Sequence, residues 1–210
     1  MVRKGILIVV SGFSGAGKGT IMKELLRKYE QYALSVSATT REPREGEVQG
    51  KDYFFKTREA FEQMIAKGEL IEYACYVNNY YGTPKAYVEE KLSEGRDVIL
   101  EIEIQGARKI KSQFPEAVLL FVTTKSAQVL KERLSRRGTE TQEIIDQRLE
   151  RAVQESEGIE EYDYLVVNDD LEICVEEIHS IIESEHRRLQ YHMELVKKVR
   201  EELKGLLKGE

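Results

Sequence analysis

Apolar residues in this chain come in short continuous runs, separated by longer stretches in which they recur every third or fourth position. Ile6-Leu7-Ile8-Val9-Val10 is an unbroken, β-branched run, the pattern of a strand buried on both faces. Three further runs share that character: Val98 to Ile104, read as a strand ending in Gln105-Gly106, then Ala117 to Val122, and Tyr164 to Val167. Helical spacing is seen in Ile21, Met22, Leu25 and Leu26, and in a short segment from Ala107 to Gln113. It returns in a C-terminal helix, Glu172 to Leu207, with Ile178, Ile181, Ile182, Leu189, Leu195, Val199 and Leu203 on a broad stripe. Asp169 or Asp170 is placed to cap that helix. Strands alternating with helices predict a three-layer α/β/α core around a parallel sheet.

Two segments break the alternation. Residues 35–90 carry short β-like pieces, Leu34-Ser35-Val36-Ser37 and Asp52-Tyr53-Phe54-Phe55, then a helix from about Thr57 to Lys67, then Leu70-Ile71-Glu72-Tyr73 and the tyrosine-rich Tyr76 to Tyr81. They are expected to form a small mixed α+β insertion with its own sheet. Residues 127–154 are highly charged and poor in apolar positions, which suits a mobile helical flap better than a core element. The core is then expected from residues 1–34, 96–126 and 155–210.

The composition is that of a soluble globular protein, and no apolar run approaches the roughly 20 residues of a membrane span. The N-terminus leads directly into the first strand without an apolar leader, so the cytoplasm is the expected compartment. Cys75 and Cys174 lie far apart without CxxC spacing and read as reduced packing residues. His179, His186 and His192 form no i, i+4 pair and read as packing or surface residues rather than zinc ligands. The net charge of −6 argues against binding a nucleic-acid polymer. It also means that a phosphorylated ligand must be drawn in by local arginines.

The first strand runs into Gly12-Phe13-Ser14-Gly15-Ala16-Gly17-Lys18-Gly19-Thr20, and a helix follows. A glycine-rich turn between strand and helix lets backbone N–H groups converge on an anion at the helix N-terminus. The spacing is that of a P-loop, with Lys18 placed to reach the β- and γ-phosphates of a nucleotide. Gly19 stands where a Ser or Thr hydroxyl normally meets Mg²⁺, and Thr20 follows it.

In the insertion, Pro43 between Arg41 and Arg44 argues against a helix and sets both arginines on a turn. Two guanidinium forks there can grip a phosphate bidentately. Tyr53 and the pair Tyr80-Tyr81 add phenolic donors. Glu101 and Glu103 alternate along the second run, so both are expected on one side of a strand near its C-terminal end, where ligands of open α/β sheets collect.

With these motifs in order, the chain resembles the guanylate kinases. The resemblance is carried by the loop from Gly12, the segment from Ser37 to Tyr53, Asn78 to Pro84, Leu100 to Ala107, Arg133 to Thr141, and Val166 to Asp170. It implies a P-loop core, a GMP-binding domain over residues 35–90 and a lid over residues 127–154. The implied reaction transfers the γ-phosphoryl group of ATP to GMP, and by extension dGMP, with Mg²⁺. Adenylate kinases share the Gly-Lys-Gly-Thr ending of the loop but not the insertion. Guanylate-kinase-like scaffold modules typically lose the P-loop lysine and GMP ligands that are present here.

Residue by residue, the resemblance assigns Arg41, Arg44, Tyr53 and Tyr81 to the GMP phosphate, and Glu72 to N1–H and N2–H₂ of guanine. Ser37 and Thr83 fall on the O6 side of the base, and Glu47, Glu103 and Gly106 join the same substrate site. Glu101 is implied near GMP and near Mg²⁺, with Thr20 as the other metal candidate. The family more often has Asp at one or both of the positions of Glu101 and Glu103. Gly12 to Thr20, Arg133, Arg137 and Asn168 are implied on the ATP side. Lys18, Arg41, Arg137 and Arg148 are implied as the catalytic set, and a monomer or homodimer is expected.

Overall fold

The computed structural model describes residues 4–44, 46–76, 78–136 and 142–208. Its centre is a five-stranded sheet whose pairings are all parallel. The strands are β1 (Leu7–Gly12), β2 (Tyr32–Leu34), β7 (Asp97–Glu101), β8 (Val118–Thr123) and β9 (Tyr164–Val167), in the order β2-β7-β1-β8-β9. Because side chains alternate across a strand, β1 sends Ile8 and Val10 to one face and Leu7 and Val9 to the other, and each pair joins a different core cluster.

On the first face, Ile8 and Val10 meet Ile21, Met22 and Leu25 of α1 (Lys18–Lys28) and Val175, Ile178 and Ile182 of α7 (Leu171–Glu185). On the second, Leu7 and Val9 meet Val88 of α3 (Lys85–Ser93) and Ala107 and Ile110 of α4 (Ile104–Gln113). This is the three-layer α/β/α core expected. Asp170 caps α7, its Oδ1 accepting from the Ile173 amide at 3.0 Å.

The insertion has its own sheet, ordered β4-β3-β6-β5, of β3 (Ala38–Thr39), β4 (Phe54–Phe55), β5 (Leu70–Tyr76) and β6 (Asn79–Pro84). β3 pairs in parallel with β4 and antiparallel with β6, which continues antiparallel with β5. Its helix α2 (Arg58–Ala66) starts at Thr57, whose hydroxyl caps the Ala60 amide at 3.2 Å. The lid region supplies α5 (Ala127–Ser135) and α6 (Gln142–Ser156). Among the described residues their joint cluster buries Leu130, Leu134, Ile145 and Ala152. At about 1.5–3 kcal/mol for each fully buried large aliphatic side chain, that is a far weaker anchor than the two sheet-covering clusters.

Several sequence expectations change. The large sheet gains an edge strand, β2, which starts two residues before the β-like Leu34 to Ser37 piece and shares only Leu34 with it, because Tyr32 to Leu34 pair with Asp97 to Ile99. The run Val98 to Ile104 is a strand only as far as Glu101; Glu103 is the N-cap of α4, and Ile104 opens the helix. Glu101 and Glu103 therefore do not share one strand face. After β6 the chain returns to the core, since α3 packs on β7 and buries Val88 beneath the large sheet.

The C-terminal helix is also divided, into α7, a 3-10 turn at Leu189–His192 and α8 (Met193–Lys208). The break falls where His186 turns back to the sheet: its Nε2 lies 2.8 Å from Oδ1 of buried Asp97, which also accepts from the Ile6 amide at 2.9 Å. Leu195, Val199 and Leu203 on α8 are exposed, so the second half of the expected stripe does not pack on the core. His179 packs as expected, stacked on Tyr29 with ring centroids 3.8 Å apart. Cys174 is buried, but Cys75 is exposed rather than packed. Among the described residues no helix is long and apolar enough to cross a membrane.

Candidate active site

The loop after β1 is held from below and from one side. Gly12 runs so close to β8 that a Cβ there would stand 2.1 Å from the Val122 carbonyl oxygen. Gly15 and Gly17 have φ of 93° and 94°, a region that favours glycine. Beneath the loop, buried Asn168 donates from Nδ2 to the Ala16 carbonyl at 2.7 Å, and a Cβ on Gly17 would come within 2.5 Å of that nitrogen. Arg133 donates to the carbonyls of Asn168 (2.8 Å) and Ala16 (3.3 Å). Both residues, expected to meet ATP directly, brace the loop with these groups. Phe13 anchors the loop's start against Phe121, edge to face with centroids 5.0 Å apart.

Lys18 reaches back along the loop, donating to the carbonyls of Gly12 at 2.6 Å and Phe13 at 3.3 Å. Burial holds its ammonium pKa below the usual value, while nearby Glu101 works the other way. It lines a cavity of about 570 Å³ together with Gly12, Ser14, Glu101, Arg148 and Glu155. Arg148 Nη1 lies 3.4 Å from Ser14 Oγ, so α6 touches the loop directly. Arg137 lies outside the described residues.

A second cavity, of about 300 Å³, is lined by Ser37, Tyr53, Glu72, Tyr81, Gly106 and the stretch Glu101 to Glu103. Glu72 is buried, and its Oε1 accepts from Thr83 Oγ1 at 2.8 Å. Burial pushes its carboxyl above the usual range, against the pull of the Thr83 hydrogen bond. Gly106 opens space beside it, since a Cβ there would sit 3.4 Å from Glu72 Oε2 and 3.1 Å from Ile102 Cδ1. Arg41 lies at the Tyr53 edge, its guanidinium carbon 5.3 Å from that ring's centroid and its Nη2 2.8 Å from Glu47 Oε1. Glu47 Oε2 also accepts from the Arg44 amide at 2.7 Å, closing the turn; Arg44 itself is exposed.

The two cavities share a wall. Glu101, Ile102 and Glu103 line both. This is the C-terminal edge of the parallel sheet, where β7 hands over to α4. The Ser11 hydroxyl fixes that handover by donating to the Ile102 carbonyl at 2.6 Å.

Mg²⁺ usually takes one or two carboxylates and otherwise keeps phosphate and water oxygens. Glu101, at the end of β7 beside Lys18, fits that pattern, and burial raises its pKa. Among the described residues no group of three acidic, histidine or cysteine side chains is built to hold a metal on its own. Thr20 fits poorly. It is exposed, two positions after Lys18 on α1, a step of about 200° around a helix, and it does not line the cavity.

Sequence reasoning passed over two residues of this site. Arg151 bonds Glu103 Oε2 at 2.5 Å and Glu155 Oε1 at 3.1 Å, and both Arg151 and Glu155 line the larger cavity. Their signal was present, because Arg148, Arg151 and Glu155 fall at i, i+3 and i+7 on one face of α6.

Comparison with known proteins gives one consistent family. Residues 4–185 match the family model for guanylate kinase. The chain is 50% identical over 199 residues to the guanylate kinase of Oceanobacillus iheyensis, covering 95% of this chain and 97% of that one. It is 48% identical over 200 residues to the guanylate kinase of Caldanaerobacter subterraneus subsp. tengcongensis, with 95% and 97% covered. Among solved structures, it superposes on the guanylate kinase of Anaplasma phagocytophilum with a TM-score of 0.71, 34% identity, and 89% and 88% of the two chains covered.

Proposed function

The chain belongs to the guanylate kinase family and is an ATP:GMP phosphotransferase, and from that premise we propose how its residues divide the reaction. ATP occupies the larger cavity, its phosphates on the loop amides and Lys18. GMP occupies the smaller one. The observation that carries this division is the shared wall, Glu101 to Glu103, with a P-loop lysine on one side and a buried carboxylate–hydroxyl pair, Glu72 and Thr83, on the other.

The base is read by mismatch. An ionised Glu72 accepts from N1–H and N2–H₂ of guanine, whereas adenine presents an acceptor at N1 and leaves lone pairs opposed. Unpaired polar groups of that kind discriminate by about 10⁴-fold or more in sites built to hydrogen-bond their substrate. Ser37 and Thr83 take the O6 side. Neither contact involves the ribose 2′ position, so dGMP is included as an acceptor.

Arg41, Arg44, Tyr53 and Tyr81 hold the GMP phosphate, with Glu47 setting the Arg41–Arg44 turn. A phosphate monoester is already largely dianionic at neutral pH, its second pKa being about 6, so the attacking oxygen needs no general base. What remains is alignment and charge neutralisation. Lys18, Arg148 and Arg137 supply positive charge to the transferring group. Arg133 and Asn168 keep the loop in shape from behind. Mg²⁺ held beside Glu101 offsets charge on the β- and γ-phosphate oxygens when bound. Closure of α5 and α6 over the cleft excludes water and so suppresses loss of ATP to hydrolysis. We place the enzyme in the cytoplasm with its nucleotide substrates.

The test is a coupled ADP-release assay on a panel of monophosphates. GMP and dGMP should turn over with ATP, and AMP, CMP and UMP should not. Comparable rates with AMP would remove the assignment of Glu72 to the base.

A further inference from the structure

Glu103 stands at the wall between the two cavities, yet its own element does not hold its side chain. It is the N-cap of α4 without a side-chain capping bond, and that side chain is 63% exposed. A long, exposed carboxylate at a helix terminus of this kind samples several rotamers unless a partner fixes it. The partner comes from the opposite side of the cleft. Arg151 on α6 places Nη2 2.5 Å from Glu103 Oε2, and its Nε donates to Glu155 Oε1 at 3.1 Å, one turn further along the same helix.

We propose that Arg151 is a positioning residue for the GMP site: braced by Glu155, it holds the Glu103 carboxylate in the orientation in which the acceptor nucleotide meets it. The inference rests on the reading of Glu103 as a GMP-facing residue. Three features carry it. The guanidinium spends separate N–H groups on its two partners, Nη2 on Glu103 and Nε on Glu155, so the geometry is directional and not a diffuse charge contact. Glu155 is the better fixed of the two carboxylates, its side chain being 18% exposed, so it acts as the anchor and Glu103 as the group being placed. The bond also crosses between separate elements, from the middle of α6 to the start of α4, at the point where both cavities end.

Charge gives Arg151 a second role. The charged lining of the larger cavity is divided evenly between Glu101, Glu103, Glu155 and Lys18, Arg148, Arg151. Without Arg151, Glu103 and Glu155 would face each other and the incoming phosphates without that counter-charge. Glu103 would then swing toward solvent, away from the acceptor.

Steady-state kinetics on the full-length enzyme tests the proposal, varying GMP at saturating ATP and ATP at saturating GMP. Arg151→Ala should raise KM for GMP roughly tenfold, as expected for loss of one charge-assisted bond that orients a binding group. That rise should exceed both the fall in kcat and any change in KM for ATP. Arg151→Lys should recover part of the loss, and Glu155→Gln should reproduce part of it. The double variant Arg151→Ala/Glu103→Gln should be no worse for GMP than Glu103→Gln alone, because the two residues act as a unit.

If Glu103→Gln raises KM for GMP but Arg151→Ala does not, or if their effects add, the positioning role is wrong and the GMP-facing reading of Glu103 stands. If Glu103→Gln leaves KM for GMP unchanged, that reading fails and the proposal with it. A lowered melting temperature in Arg151→Ala with both KM values rising together, unrescued by Arg151→Lys, would assign Arg151 to folding and overturn the proposal.

Discussion

Glu72 and Thr83 lie directly opposite one another in the β5–β6 pairing, and the Thr83 hydroxyl donates to Glu72 Oε1 at 2.8 Å. The pairing occupies one carboxylate oxygen and leaves Oε2 toward the space that Gly106 keeps open. Glu72→Gln preserves the shape and replaces an acceptor with an amide donor. The ratio of kcat/KM for GMP over AMP should fall by roughly 10²-fold or more. An unchanged ratio would mean that the base is recognised elsewhere.

The raised pKa of Glu72 makes two opposite pH dependences. Because burial favours the neutral carboxyl, its contribution to the stability of the ligand-free protein is complete below the ordinary carboxylate range. It is lost as pH rises from there through the raised value. Reading the base as proposed needs the ionised form, so KM for GMP should climb as pH falls through the same window. Thermal unfolding and GMP kinetics across the acid range check both slopes. Glu72→Gln should flatten each, and persistence of either slope in the variant would assign it to another group.

Asn168 is expected to matter for ATP by shaping the loop. Asn168→Ala leaves the Ala16 carbonyl without its 2.7 Å donor in a buried place. The cost should be about 1–3 kcal/mol of stability, read by denaturant unfolding, with a rise in KM for ATP and little change in KM for GMP. A variant of normal stability whose KM for ATP alone rises would show direct nucleotide contact instead.

Replacing Lys18 separates chemistry from folding. Its ammonium is held at a depressed pKa by burial and bonded to two loop carbonyls. Lys18→Met removes a buried charge, so the melting temperature should be unchanged or raised. The rate should drop by about 10²–10³-fold, the usual loss for one electrostatic donor to the transition state. Near-normal turnover would contradict the P-loop assignment.

The Mg²⁺ requirement distinguishes Thr20 from Glu101. Thr20→Val should leave the Mg²⁺ concentration for half-maximal rate where it was, since Thr20 does not line the donor cavity. Glu101→Gln should raise it several-fold. Gly19→Ser is sterically free, with nothing within 4 Å of a Cβ there. It should lower that concentration if a hydroxyl at this position reaches the ion.

Much of the fold could be read from residue patterns because buried parallel strands are continuous apolar runs, as β1 and β8 are. β2 escaped because its three residues, Tyr32-Ala33-Leu34, are too few to show a period and acquire strand character only by pairing with β7. The end of β7 was misread for a different reason. Ile102 and Ile104 continue the two-residue alternation, while Ile104, Ala107 and Ile110 also fit a helix, and the helix wins because all three are buried. That choice moved Glu103 from a strand face to a helix N-cap. The proposed phosphate role of Arg41 and Arg44 was legible as a two-arginine turn, which has many uses and which the resemblance narrowed, while the proposed base-reading role of Glu72 came from the resemblance alone. The Arg151 pairs left only a helical spacing in the sequence, shared with Arg148 and Glu155, and tertiary contact was needed to show Glu103 as a partner.

The insertion has a consequence for how the molecule can be taken apart. β2 and β7 are bonded neighbours, and α3 lies against β7 before it begins. The Tyr87 hydroxyl on α3 donates to the Leu34 carbonyl at 3.1 Å, so the points where the chain leaves and rejoins the large sheet are stitched together. Remove residues 35–84, and β2, α3 and β7 still form a complete strand–helix–strand crossover, the ordinary way to join parallel neighbours. On the proposed division of the reaction, the sheet that would take the acceptor is thus inserted between two elements that already touch in the layer that would take ATP.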